Sequence, residues 1–295
     1  MEQSLRKSPG IYSAPLSDMH VPRRAIVLAL VATTTAACTL TSDTGRLNRD
    51  RNEATRPDAG APDASGAETG PGSTCPADMV AIPDGFCIDA YEVSVEDYRA
   101  FAANAQTTEQ SSLCTWNTTF VPSKAPEGCE TYDLATAVPD RPVVCVDWCD
   151  ALAFCTAAGK RLCGKHGGGL NPFKEGDHET SEWFAACSAG GARTYPYAAS
   201  FEVDRCVVSA GGPQSKDVVP CDGGYAGLHH MSGNVAEWDN TCDSGPDPRA
   251  DGCRARGGAF WAANNPPAPE LVRCDASQGG RRDRALNDRG FRCCK

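Results

Sequence analysis

The chain has 295 residues, of which 41% are hydrophobic and only 7% aromatic, with 29 Gly and 21 Pro. That is enough apolar side chain for a core and too many turn formers for a long-helix bundle or coiled coil. Its 28 Lys and Arg stand against 38 Asp and Glu, a formal net charge of −10, so no basic surface is available to grip phosphate backbones and nucleic acid is not an expected partner. The 17 cysteines lack the paired CxxC spacing of zinc ribbons and point to an oxidising compartment.

Arg23 and Arg24 precede an apolar run from Ala25 to Ala32, and Thr35, Ala36 and Ala37 lead into Cys38. The run is too short for a spanning helix and has the form of a signal peptide. It is similar to a bacterial lipoprotein signal, with Thr35 where Leu is usual; Cys38 would then be lipidated and become the mature N-terminus. Cleavage near Ala37 without a lipid, or an uncleaved anchor, are the alternatives. Residues 1 to 18 fit neither a charged leader nor a fold, so Met19 is the expected start of translation. Residues 39–74 are Ser, Thr, Asp, Gly, Pro and Ala-rich without an aromatic side chain and cannot bury enough surface to fold. As a coil they would span roughly 30 to 36 Å, a tether between a bilayer and the domain at 75–295.

From Cys75 the pattern changes. Met79–Ile82 and Phe86–Val93 read as strands. Ser94 followed by Asp97 is a capping box that opens a helix to about Ala105. Pro142–Val146 reads as another strand. Asp147 is an N-cap for a helix over 148–158, which Gly159 would end, with Trp148, Leu152 and Cys155 on one face. A third helix is expected from Ser181 to Ser188, stopped by Gly190 and Gly191. Beyond Ala192 short strands and turns follow without an internal repeat, so the class is α+β.

Along this frame occur, in order, Gly159-Lys-Arg-Leu162, Glu182-Trp183, Tyr195-Pro-Tyr197, Gly227-Leu228, Met231-Ser-Gly-Asn-Val-Ala-Glu-Trp238, Arg256-Gly-Gly-Ala-Phe-Trp261 and Gly290-Phe-Arg292. The series, over about residues 79 to 293, resembles the formylglycine-generating enzyme family, also called the sulfatase-modifying factor family. The resemblance implies a C-type-lectin-like α+β fold, low in regular secondary structure and here disulfide-rich. Members of the family oxidise a sulfatase cysteine with a copper ion held by two cysteine thiolates, ligands that suit soft Cu(I). In this chain the offsets of those two cysteines fall on Ala262 and Pro267, the family's neighbouring Ser is Ala259, and the Trp between its Asn and Glu is Ala236. No catalytic residue is therefore assigned.

The resemblance also carries over two disulfides, Cys155 with Cys293 and Cys187 with Cys274. Proximity alone suggests Cys75 with Cys87, Cys114 with Cys129, Cys206 with Cys221 and Cys242 with Cys253, leaving Cys145, Cys149, Cys163 and Cys294 unassigned. Sixteen cysteines follow Cys38, an even number that leaves no free thiol in the expectation. A family calcium site would use a side chain at His230, the carbonyls of Gly233 and Val235, and Glu237. Histidine is a poor ligand for a hard cation, and Glu237 is expected instead to anchor amides of its own loop. A second family calcium site is expected to be lost at Val207. With the copper positions lost, calcium is the one cofactor left as a candidate.

Other chemistry is thin. His166, His178, His229 and His230 lack metal-binding spacing and read as exposed loop residues, the adjacent pair pointing to opposite faces. Gly164–Leu170 reads as a surface loop, not a phosphate loop, and Ser232 is in no nucleophile elbow. The expectation is a non-catalytic, extracytoplasmic lipoprotein that binds an envelope protein, peptide or glycan and touches the membrane only through its lipid. A metal-dependent oxidoreductase of the same family with a non-standard site is the alternative.

Overall fold

The computed structural model describes residues 75–295, apart from 175–176, 219–220 and 265–266. The signal segment, Cys38 and the tether lie outside the described residues. Strands β1 (Met79–Ile82) and β2 (Phe86–Asp89) form a hairpin and lead into helix α1 (Val95–Ala102). Helix α2 (Trp148–Ala157), strand β3 (Arg161–Leu162) and helix α3 (Glu182–Ser188) follow. The second half supplies β4 (Ala236–Cys242), β5 (Gly252–Arg256), β6 (Ser277–Arg281), β7 (Arg289–Phe291) and β8 (Cys293–Cys294). No helix among the described residues is long and apolar enough to cross a membrane.

The strands make two four-stranded sheets, in the orders β1-β2-β8-β3 and β6-β5-β4-β7. Only β4 and β7 run parallel among the paired strands. Strands β7 and β8 are separated by a single residue, Arg292, yet belong to different sheets. That residue therefore sits where the C-terminal segment crosses from one sheet to the other, and it is fully buried.

Local signals account for the helices. Ser94 Oγ accepts from the Asp97 amide at 3.1 Å at the start of α1. Asp147 Oδ1 accepts from the amides of Cys149 and Asp150, and the Asp150 carboxylate accepts from the Asp147 amide, a reciprocal cap on α2. Helix α3 ends at Ser188, as expected, and its C-cap is Ala189, which holds a left-handed φ of 54° ahead of the glycine pair. The expected strand over Pro142–Val146 does not form. Cys145 turns to a φ of 62° there, which breaks an extended run, and only the bridge Ser94–Pro142 remains.

The core has two main parts. One packs Tyr98, Trp148, Trp238 and Phe291 between α1, α2 and the second sheet. The other packs Ile88, Trp183, Leu228 and Met231 around α3 and the first sheet.

Eight disulfides tie these parts together. Cys155 is bonded to Cys293 and Cys187 to Cys274. Cys75–Cys87, Cys206–Cys221 and Cys242–Cys253 close short loops. The pairing of Cys114 with Cys129 is corrected: Cys114 joins Cys149, and Cys129 joins Cys145. The reason is spatial. Asn117 donates to the buried Asp150 carboxylate at 2.9 Å, which draws the segment at Cys114 onto the first turn of α2, away from its sequence neighbour. Cys163 and Cys294 pair across β3 and β8. All sixteen cysteines from Cys75 onward are thus oxidised, which fits an extracytoplasmic compartment.

Candidate functional site

The Met231–Trp238 segment enters β4 through a tight turn. Gly233 has a φ of 75°, and a Cβ on it would lie 2.3 Å from the Val207 carbonyl oxygen, so no larger residue fits. Asn234, also left-handed, takes an amide hydrogen bond from Gln214 on Oδ1 and donates through Nδ2 to Glu92. From this turn β4 carries Glu237 into the middle of the molecule, where it is fully buried.

Glu237 meets Arg292 in a two-pronged ion pair, Nη2 to Oε1 and Nε to Oε2, both at 2.7 Å. The Trp183 indole donates to Oε2 at 2.7 Å. Arg292 spends its other donors on the carbonyls of Asp89, Ala90 and His229. Burial pushes the Glu237 carboxyl up, against the pull of Arg292. This corrects the expectation that Glu237 would hold amides of its own loop: its partners are a guanidinium and an indole from distant elements.

The same geometry decides the fit to calcium. Both Glu237 oxygens are taken, one of them twice, and a guanidinium lies where a dication would repel it. His230 is fully buried with a φ of 56°, and its Nε2 faces the Lys216 carbonyl at 3.0 Å. Only the carbonyls of Gly233 and Val235 remain of the proposed set, too few oxygens for calcium. The residues do not fit the ion.

They do not fit copper either. Ala262 is buried in an apolar cluster with Tyr195, Val208, Val272 and the Cys206–Cys221 bridge. Its amide donates to the Ala259 carbonyl and its carbonyl accepts from the Ala268 amide. Pro267 is exposed and has no donor atom. Ala236 is buried at the start of β4 within the first core. Cys274, the next cysteine along the chain, is bonded to Cys187. With every described cysteine oxidised, no thiolate is present to take a soft metal. Among the described residues no three His, Cys, Asp or Glu gather as a metal site.

What this side of the molecule does offer is a cleft of about 760 Å³. Glu92 forms part of its wall, with a side chain 3% exposed. Its Oε1 accepts from Asn234 at 3.1 Å, and Arg292 stands 4.0 Å from Oε2. Burial pushes the Glu92 carboxyl up to about 7, with Arg292 and Asn234 pulling the other way. Glu96, Asp97 and Asp140 stand at the rim, exposed, and no ion pair among the described residues involves them. Lys160 bridges Asp78 and Asp89 on the same wall. The two acids respond in opposite ways: burial raises Asp89, whereas the Lys160 hydrogen bond lowers the more exposed Asp78.

Tyr91 completes the cleft, its ring stacked on His229 at 4.5 Å. The two histidines are therefore not both exposed loop residues. His229 is half-buried against an aromatic ring, and burial depresses both imidazoles. The cleft escaped the sequence reading because its acids come from before β1, from β2 and the segment after it, from α1 and from the 139–142 segment, with no shared spacing. The polar Asp89 and Glu92 within an otherwise apolar strand were the one available signal.

The sequence profile described as the sulfatase-modifying factor enzyme 1-like domain matches residues 44–295. The chain belongs to this family. Among curated relatives, a mouse protein named inactive C-alpha-formylglycine-generating enzyme 2 is 26% identical over 247 residues, covering 70% of this chain and 74% of that one. A bovine formylglycine-generating enzyme is 25% identical over 275 residues, covering 74% and 67%. Similar solved structures include CarF, at 20% identity and a TM-score of 0.45 over 71% of this chain and 85% of that one. PvdO from Pseudomonas aeruginosa is 17% identical with a TM-score of 0.49, over 71% and 79%.

Proposed function

We propose that this chain is a non-catalytic member of the family, held at a bacterial envelope by a lipid on Cys38, whose cleft beside Glu92 receives a peptide or glycan partner. One observation carries the non-catalytic reading: the position expected to supply the first copper thiolate is a methyl group inside an apolar cluster, in a domain with no thiol left. The chemistry needs two thiolates held before the substrate arrives, because preorganisation supplies much of an active site's effect. Relatives named as an enzyme and as an inactive protein are nearly equally similar to the chain, so overall identity does not separate the two possibilities and the residues at 262 and 267 must. The acids at the cleft rim favour a partner with basic groups, and the Tyr91 ring offers a flat face to an aliphatic stem or a sugar.

The test is chemical. Protein incubated with a sulfatase-derived cysteine peptide, copper and a reductant is expected to give no aldehyde by mass spectrometry above a control with metal alone. Aldehyde above that control overturns the reading.

A further inference from the structure

A smaller pocket of about 340 Å³ lies beside the 128–138 loop, bounded on its other sides by Pro142, Val144, Gly211–Pro213 and Phe260. We infer that it is a binding site for a carboxylate carried on an apolar body, with the Arg141 guanidinium as its anchor. The site goes beyond the proposed function and does not depend on it.

Arg141 is the first reason. No ion pair or side-chain hydrogen bond among the described residues involves it, and its Nε is shielded from water without an acceptor. In a chain with ten more acidic than basic side chains, a half-buried arginine whose Nε has no acceptor is not explained by a shortage of partners. Asp133, the acid on the same wall, is turned to its own loop, accepting from the Ala135 amide at 3.1 Å and the Thr136 hydroxyl at 3.3 Å. A guanidinium presents a planar fork of donors that matches a carboxylate.

Two further donors share the pocket. The buried Tyr132 hydroxyl lies near the Val144 amide without closing a hydrogen bond of ordinary geometry. The Asn287 amide is admitted by Gly128, where a Cβ would stand 2.4 Å from Asn287 Nδ2 and where φ is +85°. The remaining walls include Val138, Val144 and Phe260. One guanidinium among apolar walls suits a single carboxylate with a hydrophobic substituent, whereas a phosphate would want more cations. The volume, near the lower end of ligand pockets, suits one side chain and its carboxylate. A peptide C-terminus and a free small acid share that chemistry.

Calorimetry on the folded protein tests this with N-acetyl-phenylalanine, its amide, and a blocked tetrapeptide ending in phenylalanine in free and amidated forms. At least one free acid should bind, with its amide about tenfold weaker or worse, since a charge-assisted pair is lost. Arg141→Gln should lose about as much, and Arg141→Lys should keep part of the affinity. Tighter binding of the tetrapeptide than of N-acetyl-phenylalanine identifies a peptide terminus; the reverse or equality identifies a small acid. Absence of binding by both acids, equal binding of acid and amide, or full affinity in Arg141→Gln overturns the site. Circular dichroism checks the variants, and if Arg141→Gln does not fold, the wild-type acid and amide contrast decides. None of these outcomes alters the aldehyde result, so the two readings fail separately.

Discussion

The Glu237–Arg292 junction and the Ala259–Pro267 loop lie on neighbouring parts of the second half of the chain, and each has residues sealed from water. The junction is charged and, at both partners, densely hydrogen-bonded. It joins β4, α3 and the crossing between the two sheets through three side chains. The loop places no charged side chain or thiol at its described positions, and at 262 it has only a methyl group in an apolar cluster. One region joins the two sheets; the other holds the positions at which the family resemblance would place the copper ligands. The difference teaches that the two requirements are separable in this fold. A buried ion pair in the crossing segment cannot be lost without leaving a charge stranded, while a metal ligand can be replaced by a hydrophobic side chain without harm to the fold.

The sharpest way to break that comparison is Arg292→Met with Glu237 retained. It leaves a buried carboxylate with only the indole, and urea unfolding should show a loss of about 3–5 kcal/mol. Adding Glu237→Leu should recover part of that loss, since an apolar pair needs no solvation. If the double variant is less stable than the single one, the junction is held by more than its charges.

Replacing Cys155 and Cys293 with Ser should cost about 2–4 kcal/mol by opening a loop of 138 residues. The same change at Cys242 and Cys253, only 11 apart, should cost less. Equal shifts in the urea midpoint would show that native-state strain rather than chain restriction sets the contribution.

Ala262→Cys with Pro267→Cys sharpens the other half. The larger thiol enters a filled cluster, so a destabilisation of about 1–3 kcal/mol is expected, and the aldehyde assay should remain negative. Gain of activity would mean the loop kept the enzymes' path and lost only its ligands.

A further effect is electrostatic and shows only as a dependence on pH. Glu92 has a folded pKa of about 7 against an ordinary value of 4.5. Between those values the folded state binds more protons than the unfolded one, so the contribution is fully present below pH 4.5 and fades as pH rises through 7. Glu92→Gln should flatten the fall in stability over that window. An unchanged slope would show that the carboxylate is ionised throughout.

The comparison also explains what could be read from the sequence. Helix starts were legible because a cap acts within four residues: Ser94, Asp147 and Ser181 each bond amides two or three positions on. The α+β class was legible for the same local reason. The partners of Glu237 were not, because they lie 54 and 55 residues away. The same holds for Cys114, whose nearest cysteine in sequence is not its nearest in space. The strand expected over Pro142–Val146 failed because Cys145 takes a left-handed φ, which periodicity does not register. The cleft and the Arg141 pocket draw on three or more chain segments each, so no single stretch announces them.

The central claim is that the domain keeps its family scaffold while holding no thiolate that could take a metal. Alkylation of the denatured, unreduced protein, followed by peptide mass mapping, tests it most directly. The account predicts no labelled cysteine between Cys75 and Cys294, with Cys274 recovered on a peptide linked to Cys187. A pair of labelled cysteines in the native product, above all Cys187 and Cys274, would contradict it.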